Sequence, residues 1–273
     1  MKIKRKKALL LMAGLITLTL AACGNTANNS NEDNYKADIS DNVSSEDYEA
    51  GELPQGEIVV VTNGQQQFLP ANMYMDFAYS ESVNGSVLFA DVPAISTTAK
   101  MLDTDAGGRM KIAGAQEGSM PDTKLFGVSN TAALSEFSDG QRKIVSGRMY
   151  ESANECIISK DLADANKLSV GDIITFENIT LNAKGDKVVY ELKISGIYSD
   201  ATNEYDYPYQ IAYLNRRNEI ITGMETLINA DSDGSGLMVQ AYYFLKEGIL
   251  LSDYENELRE KGLPSDYRVV KAE

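Results

Sequence analysis

The sequence predicts an α+β protein built from two lobes. Three observations carry this. Near both ends of the folded part, around residues 57–92 and 240–270, short apolar runs rich in Val, Ile and Tyr alternate with short amphipathic stretches. The middle, residues 109–237, is made of shorter apolar runs separated by turn residues. And 273 residues suffice for one large or two small domains with a sizeable core.

In chain order, residues 1–22 read as an export signal. Lys2, Lys4, Arg5, Lys6 and Lys7 precede an apolar run from Ala8 to Ala22, too short for a comfortable membrane span of about 20 residues. The run ends in Leu20-Ala21-Ala22-Cys23, which resembles the bacterial lipobox. That resemblance implies cleavage before Cys23 and a lipid on its thiol, with enough acyl methylenes for stable anchoring. The expected location is the extracytoplasmic side of the cell membrane. Residues 23–56 are rich in Asn, Ser, Asp and Glu and poor in apolar residues. Such a segment buries too little surface to offset its ordering entropy, so it is expected to be a disordered acidic tether.

The folded part is expected over residues 57–273. Glu57 to Val61 reads as a strand, Pro70 suits a helix start with Met73, Tyr74 and Phe77 on one face, and Val87 to Val92 reads as a second strand. The C-terminal end mirrors this unit. Gln240 to Leu245 is a strand, Ser252-Asp253-Tyr254-Glu255 has the form of a capping box, and Gly262 with Pro264 stops the helix. Tyr267 to Val270 is a last strand. The two strand–helix–strand units, residues 57–108 and 238–273, are expected to pack into one lobe, with residues 109–237 inserted as a β-rich second lobe.

Within the insert, Gly147 to Phe176 is the clearest packing unit. A Gly-Arg turn leads to the strand Cys156-Ile157-Ile158, Ser159 stands where a helix N-cap belongs, and Gly171-Asp172 turns the chain into the strand from Ile173. Val188 to Ile194 alternates partially, as a strand does. Asn215 is expected to cap a helix with Ile220, Ile221, Met224, Leu227 and Ile228 as its apolar stripe.

The turn Gly147-Arg148-Met149-Tyr150, the strand Glu155 to Ser159, the helix with Leu162-Ala163 and the turn Val170-Gly171-Asp172 occur in an order that resembles the MacB-like periplasmic core domain of FtsX/MacB-type ABC transporter permeases. Leu125 to Val128, Phe137 to Gly140, Leu192 to Tyr198 and Tyr207 to Tyr213 extend the resemblance over most of residues 57–273. It implies a porter-like lobe carrying an inserted β-rich lobe, and a recognition role in efflux or in handling peptides and lipoproteins. The chain shows no second hydrophobic segment, so no permease or ATPase part is expected within it.

Composition excludes several chemistries. There is no His, which removes Ser-His-Asp and Cys-His nucleophile systems and the commonest zinc ligand. The net charge is −15, and −20 beyond residue 22, because five of the 25 basic residues and none of the 40 acidic ones lie in the signal. Such a chain repels phosphate backbones, so nucleic acid is not an expected partner. No phosphate loop or Ser-Lys spacing is present. Asn229, Asp231, Asp233 and Gly234 imitate the start of a calcium loop, but its twelfth position is Gln240 rather than Glu, so a polar turn is expected and no metal or cofactor. Cys156 lies in an apolar run and is read as a buried structural thiol.

No enzyme is therefore expected. The reading is a lipid-anchored accessory or interaction subunit associated with an ABC transporter permease or ATPase. The alternative is a free-standing lipoprotein that binds a peptide or toxin and confers immunity. Tyr205, Tyr207 and Tyr209, in a Pro-containing loop, are the candidate partner contacts, because tyrosines supply rigid amphipathic anchors.

Overall fold

Two fourteen-residue strands, β2 (Val83–Ser96) and β7 (Lys187–Asp200), hold the architecture together by changing neighbours along their length. The computed structural model describes residues 52–64, 69–103, 120–182, 184–202, 212–230 and 237–272. Its other strands are β1 (Glu57–Thr62), β3 (Thr123–Val128), β4 (Arg142–Gly147), β5 (Glu155–Ser159), β6 (Ile173–Leu181), β8 (Glu219–Gly223), β9 (Met238–Leu245) and β10 (Arg268–Lys271). The helices are α1 (Ala71–Ala78), α2 (Ser135–Ser138), α3 (Lys160–Asn166), α4 (Met224–Ala230) and α5 (Leu251–Glu260). All ten strands join one mixed sheet in the order β10-β1-β9-β2-β3-β8-β5-β7-β4, with β6 bridging β2 and β7. The fold class is the expected α+β.

The two strand–helix–strand units from the chain ends interleave. β1 lies between β9 and β10, and β9 lies between β1 and β2, all antiparallel. Helices α1 and α5 cover one face of these four strands. Tyr74 and Phe77 of α1 and Tyr254 and Leu258 of α5 are buried there with Val59, Tyr243 and Val269. Tyrosine hydroxyls tie the helices down: Tyr243 donates to the Tyr74 carbonyl at 3.0 Å and Tyr254 to the Phe77 carbonyl at 3.3 Å.

Past Asp91, β2 leaves β9 and takes up β6 from Ala94 onward. Pro93 falls in the gap between these neighbours, where a missing N–H disturbs the ladder least. The pairings β2–β3, β3–β8, β8–β5, β5–β7, β7–β6 and β6–β2 then form a closed circuit of six strands. One side of every strand in it feeds a single cluster, including Val92, Leu125, Cys156, Phe176, Leu192 and Ile220. Over the first eight residues of β7 the alternation is strict: Val188, Tyr190, Leu192 and Ile194 are buried while Lys187, Val189, Glu191 and Lys193 are exposed. A second cluster on the outer side joins Phe89, Val128, Phe137, Met149, Ile157, Tyr198 and Ile221.

The Gly147-to-Phe176 unit forms as the residues suggest. The Ser159 hydroxyl accepts the Leu162 N–H at 3.1 Å, the N-cap bond expected of it. Arg148 grips both carboxylate oxygens of Glu155, at 3.0 and 2.8 Å, and Glu155 also accepts the N–H groups of Glu151 and Ser152. That clasp closes the loop between β4 and β5. Cys156 is fully buried, and burial pushes its thiol well above the ordinary range, which leaves it unreactive.

Two expectations are corrected. Residues 215–228 are not one helix. Asn215 caps a 3₁₀ turn, Arg216–Asn218, by accepting the Arg217 N–H, and β8 follows before α4 begins at Met224. The reason is burial on opposite sides: Ile220 packs in the inner cluster and Ile221 in the outer one, a demand that a strand meets and a one-faced helix does not. Ser252 is not the N-cap of α5. The helix starts two residues earlier than that cap would set, at Leu251, and the Ser252 hydroxyl donates to the side chain of Asp253.

Candidate functional site

One end of the sheet concentrates charge that the core elsewhere excludes. Lys124 near the start of β3 and Glu219 at the start of β8 are register partners. Arg142 opens β4, directly opposite Asp200 at the end of β7. Asp91 lies on the adjoining stretch of β2, Glu136 on α2, and Arg216 in the turn before β8. The fold thus brings seven charged side chains together from seven elements.

Arg142, 2% exposed, is the centre. Its Nε donates to Asp200 Oδ2 at 2.7 Å, and its Nη1 donates to Glu219 Oε2 at 2.9 Å and lies 3.1 Å from Glu136 Oε2. The guanidinium also stacks over Tyr198, 5.1 Å from the ring centroid. Arg216 donates to both oxygens of Glu136, at 2.7 and 2.8 Å. Lys124 reaches Glu219 Oε1 at 3.2 Å. Burial opposes the charge on Glu219, but Lys124, Arg142 and Arg216 overcome it and hold the carboxyl well below the usual range. The cations respond in kind: despite burial, Glu219 and Asp91 hold Lys124, and Tyr198 with Glu219, Glu136 and Asp200 holds Arg142, above their ordinary values.

Asp91 is the exception. Both its oxygens are buried without a hydrogen-bond donor, and Lys124 Nζ stays 3.8 Å from Oδ1. Burial raises its pKa, Lys124 counteracts this, and Glu219 adds to it. A carboxyl raised in the folded state contributes stability that is fully present below its unfolded pKa and is lost as pH rises through the folded value. Asp91→Asn is therefore expected to raise the urea midpoint at pH 7 and to match the parent protein near pH 4. Equal midpoints at pH 7 would show that Lys124 already offsets the buried charge.

This charged end is also where residues 203–211 join the described structure. Asp200 Oδ1 accepts the N–H and hydroxyl of Thr202 at 2.8 and 2.6 Å, which fixes one base of that segment to Arg142. Asn218 donates to the Ala212 carbonyl at 2.8 Å and to the Leu102 carbonyl at 2.9 Å, which fixes the other. Tyr205, Tyr207 and Tyr209 themselves lie outside the described residues, as do Cys23 and Asp231, Asp233 and Gly234 of the calcium-like loop. Asn229 ends α4. Among the described residues, no group of His, Cys, Asp and Glu has the arrangement of a metal site. No helix among them is long and apolar enough to cross a membrane.

Sequence reasoning passed over all seven network residues. The signal was present but weak: Asp91 stands between Leu88-Phe89-Ala90 and Val92, and Glu219 and Arg142 each sit just ahead of Ile-containing runs. A charge embedded beside a core strand points to a buried ion network, though it does not say which partner lies opposite.

No family model matches the chain. Over 105 residues, 37% of the chain, it is 35% identical to the uncharacterized ABC transporter permease YclI of Bacillus subtilis (strain 168). That stretch spans 21% of the relative's length. Among solved structures, the periplasmic region of MacB from Actinobacillus actinomycetemcomitans overlays 80% of this chain and 90% of its own, with TM-score 0.40 and 11% identity. The extracellular domain of the noncanonical ABC-type transporter YknZ from Gram-positive bacteria overlays 79% and 99%, with TM-score 0.40 and 12% identity. The sequence relative is thus an ABC transporter permease, the class of protein that the sequence motifs resemble.

Proposed function

We propose that this chain is a lipid-anchored, non-catalytic extracytoplasmic protein that serves as an accessory or interaction subunit of an ABC transport system. The observation that carries the reading is the 105-residue similarity to an ABC transporter permease, at 35% identity. The lipobox-like Leu20-Ala21-Ala22-Cys23 supplies the anchor, and the acidic tether lets the folded part meet a membrane-embedded partner. Its contact surface is the charged end of the sheet, with Tyr205, Tyr207 and Tyr209 as anchors held on a base that Arg142, Asp200 and Asn218 make rigid.

The test is a crosslinked pull-down of the intact lipoprotein from its own membrane, read by mass spectrometry. A permease or its ATPase is expected to co-purify. Cys23→Ala is expected to move the protein out of the membrane fraction. Replacing Tyr205, Tyr207 and Tyr209 together with Ser is expected to reduce recovery of the permease about tenfold, the loss of one or two interface anchors, without changing the thermal midpoint. Recovery of a soluble peptide with no transporter component would instead mark the protein as a ligand trap.

A further inference from the structure

The four-stranded sheet β10-β1-β9-β2 has helices α1 and α5 on one face only. On the other face, Val60 of β1 pairs with Val270 of β10. Tyr242 of β9 stands on the same side, two residues before Phe244, which pairs with Ile58. All four of Ile58, Val60, Tyr242 and Val270 are half-buried, and neither Val60 nor Val270 belongs to either core cluster. An apolar strip of this kind calls for a cover.

The end of the tether already runs onto this face. Pro54 packs on Gly85, which is in register with Phe244, and Leu53 joins the outer cluster beside Ile58 and Tyr242. Asn84 donates to the Gln55 carbonyl at 2.6 Å, which holds the chain there. The residues upstream carry what the strip lacks. Tyr35, Ile39, Val43 and Tyr48 recur at intervals of four, four and five, which suits one side of a helix. Between residues 32 and 52 there are eight acidic side chains and one Lys, while the strip is bordered by the exposed Arg268, two residues before Val270. Five extended residues span at most about 17 Å, which sets the reach of Tyr48 from Leu53, itself packed with Ile58 and Tyr242.

We propose that residues 35–48 of the tether dock on the Ile58–Val60–Tyr242–Val270 strip as an intramolecular cover. Only residues 24–34 then remain as free tether, and the folded part is held correspondingly closer to its anchor. This reading does not depend on the transporter association.

Hydrogen exchange on the full-length lipoprotein in detergent tests it. Amides of residues 35–48 are expected to exchange about tenfold or more slowly than those of residues 24–31. Ile39→Asp, a change outside the described residues, is expected to return them to the coil rate. Val270→Asp is expected to do the same from the other side. Coil-rate exchange across residues 24–51 in the parent protein would overturn the proposal. So would protection that survives Ile39→Asp, or protection that grows with concentration alongside a dimer mass in sedimentation, which would make a second copy the occupant.

Discussion

Arg142→Met is expected to lower the unfolding free energy by about 3–5 kcal/mol, because removing one member of a buried ion network leaves its partners charged and unpaired. Three carboxylates, on Glu136, Asp200 and Glu219, point at this one guanidinium. Methionine fills part of the volume over Tyr198 but donates nothing. In a domain of this size about 1 kcal/mol moves the melting temperature by roughly 2–4 °C, so a loss of at least about 6 °C should be seen by calorimetry. Arg142→Lys keeps the charge but loses the fork that reaches Asp200 and Glu219 together, and should recover less than half of the difference. The effect has a pH signature. Glu219 is held below its unfolded pKa, so its contribution is present above that value and is lost as pH falls through the folded one. The gap between parent and variant should therefore narrow in strong acid. A gap that stays constant from pH 7 to below pH 3 would mean that packing over Tyr198, rather than the ion network, is what Arg142 supplies.

The second large effect is expected at Gly147. Its φ of +70° is one that side chains rarely adopt, and a Cβ there would collide with the Ser195 carbonyl oxygen and with Val170. That carbonyl accepts the Arg148 N–H at 2.9 Å, so the collision would also displace the bond that starts the Arg148–Glu155 clasp. Strain and overpacking each cost about 1–3 kcal/mol, which puts Gly147→Ala at about 2–6 kcal/mol by urea unfolding. Gly171→Ala separates the two causes. Gly171 also has a positive φ, +100°, yet nothing lies within 4 Å of where its Cβ would be. It should cost only the strain. Equal losses at both positions would show that the close approach to Ser195 contributes nothing.

Much of the fold was readable because its signals are local. Period-two burial in β7, the cap at Ser159 and the helix stop at Gly262, whose φ is +96°, each depend on neighbours a few residues away. Helix α5 was expected from the right residues and missed only its start, since a Ser followed by Glu at the third position does not itself place the chain's entry into the helix. The candidate site was far less readable. Tyrosines draw attention in a sequence by kind and spacing, whereas Arg142, Asp200 and Glu219 are ordinary charges in a chain that has 65 of them. Only their partners make them unusual, and those lie 58 to 77 residues away.

By itself, then, the sequence determined the periodic elements, the two strand–helix–strand units at the ends and the likeness to permease domains. These rest on side-chain alternation, caps and turns, which act within a few residues. The tertiary structure alone decided that Ile220 and Ile221 belong to a strand between two clusters. It alone closed β2, β3, β8, β5, β7 and β6 into a circuit, and it alone set four acids and three bases together at one end. The reason is common to all three. Each is a choice among long-range partners, made by burial on opposite faces and by the high cost of leaving a buried charge unpaired, and no local pattern encodes which distant residue will supply the match.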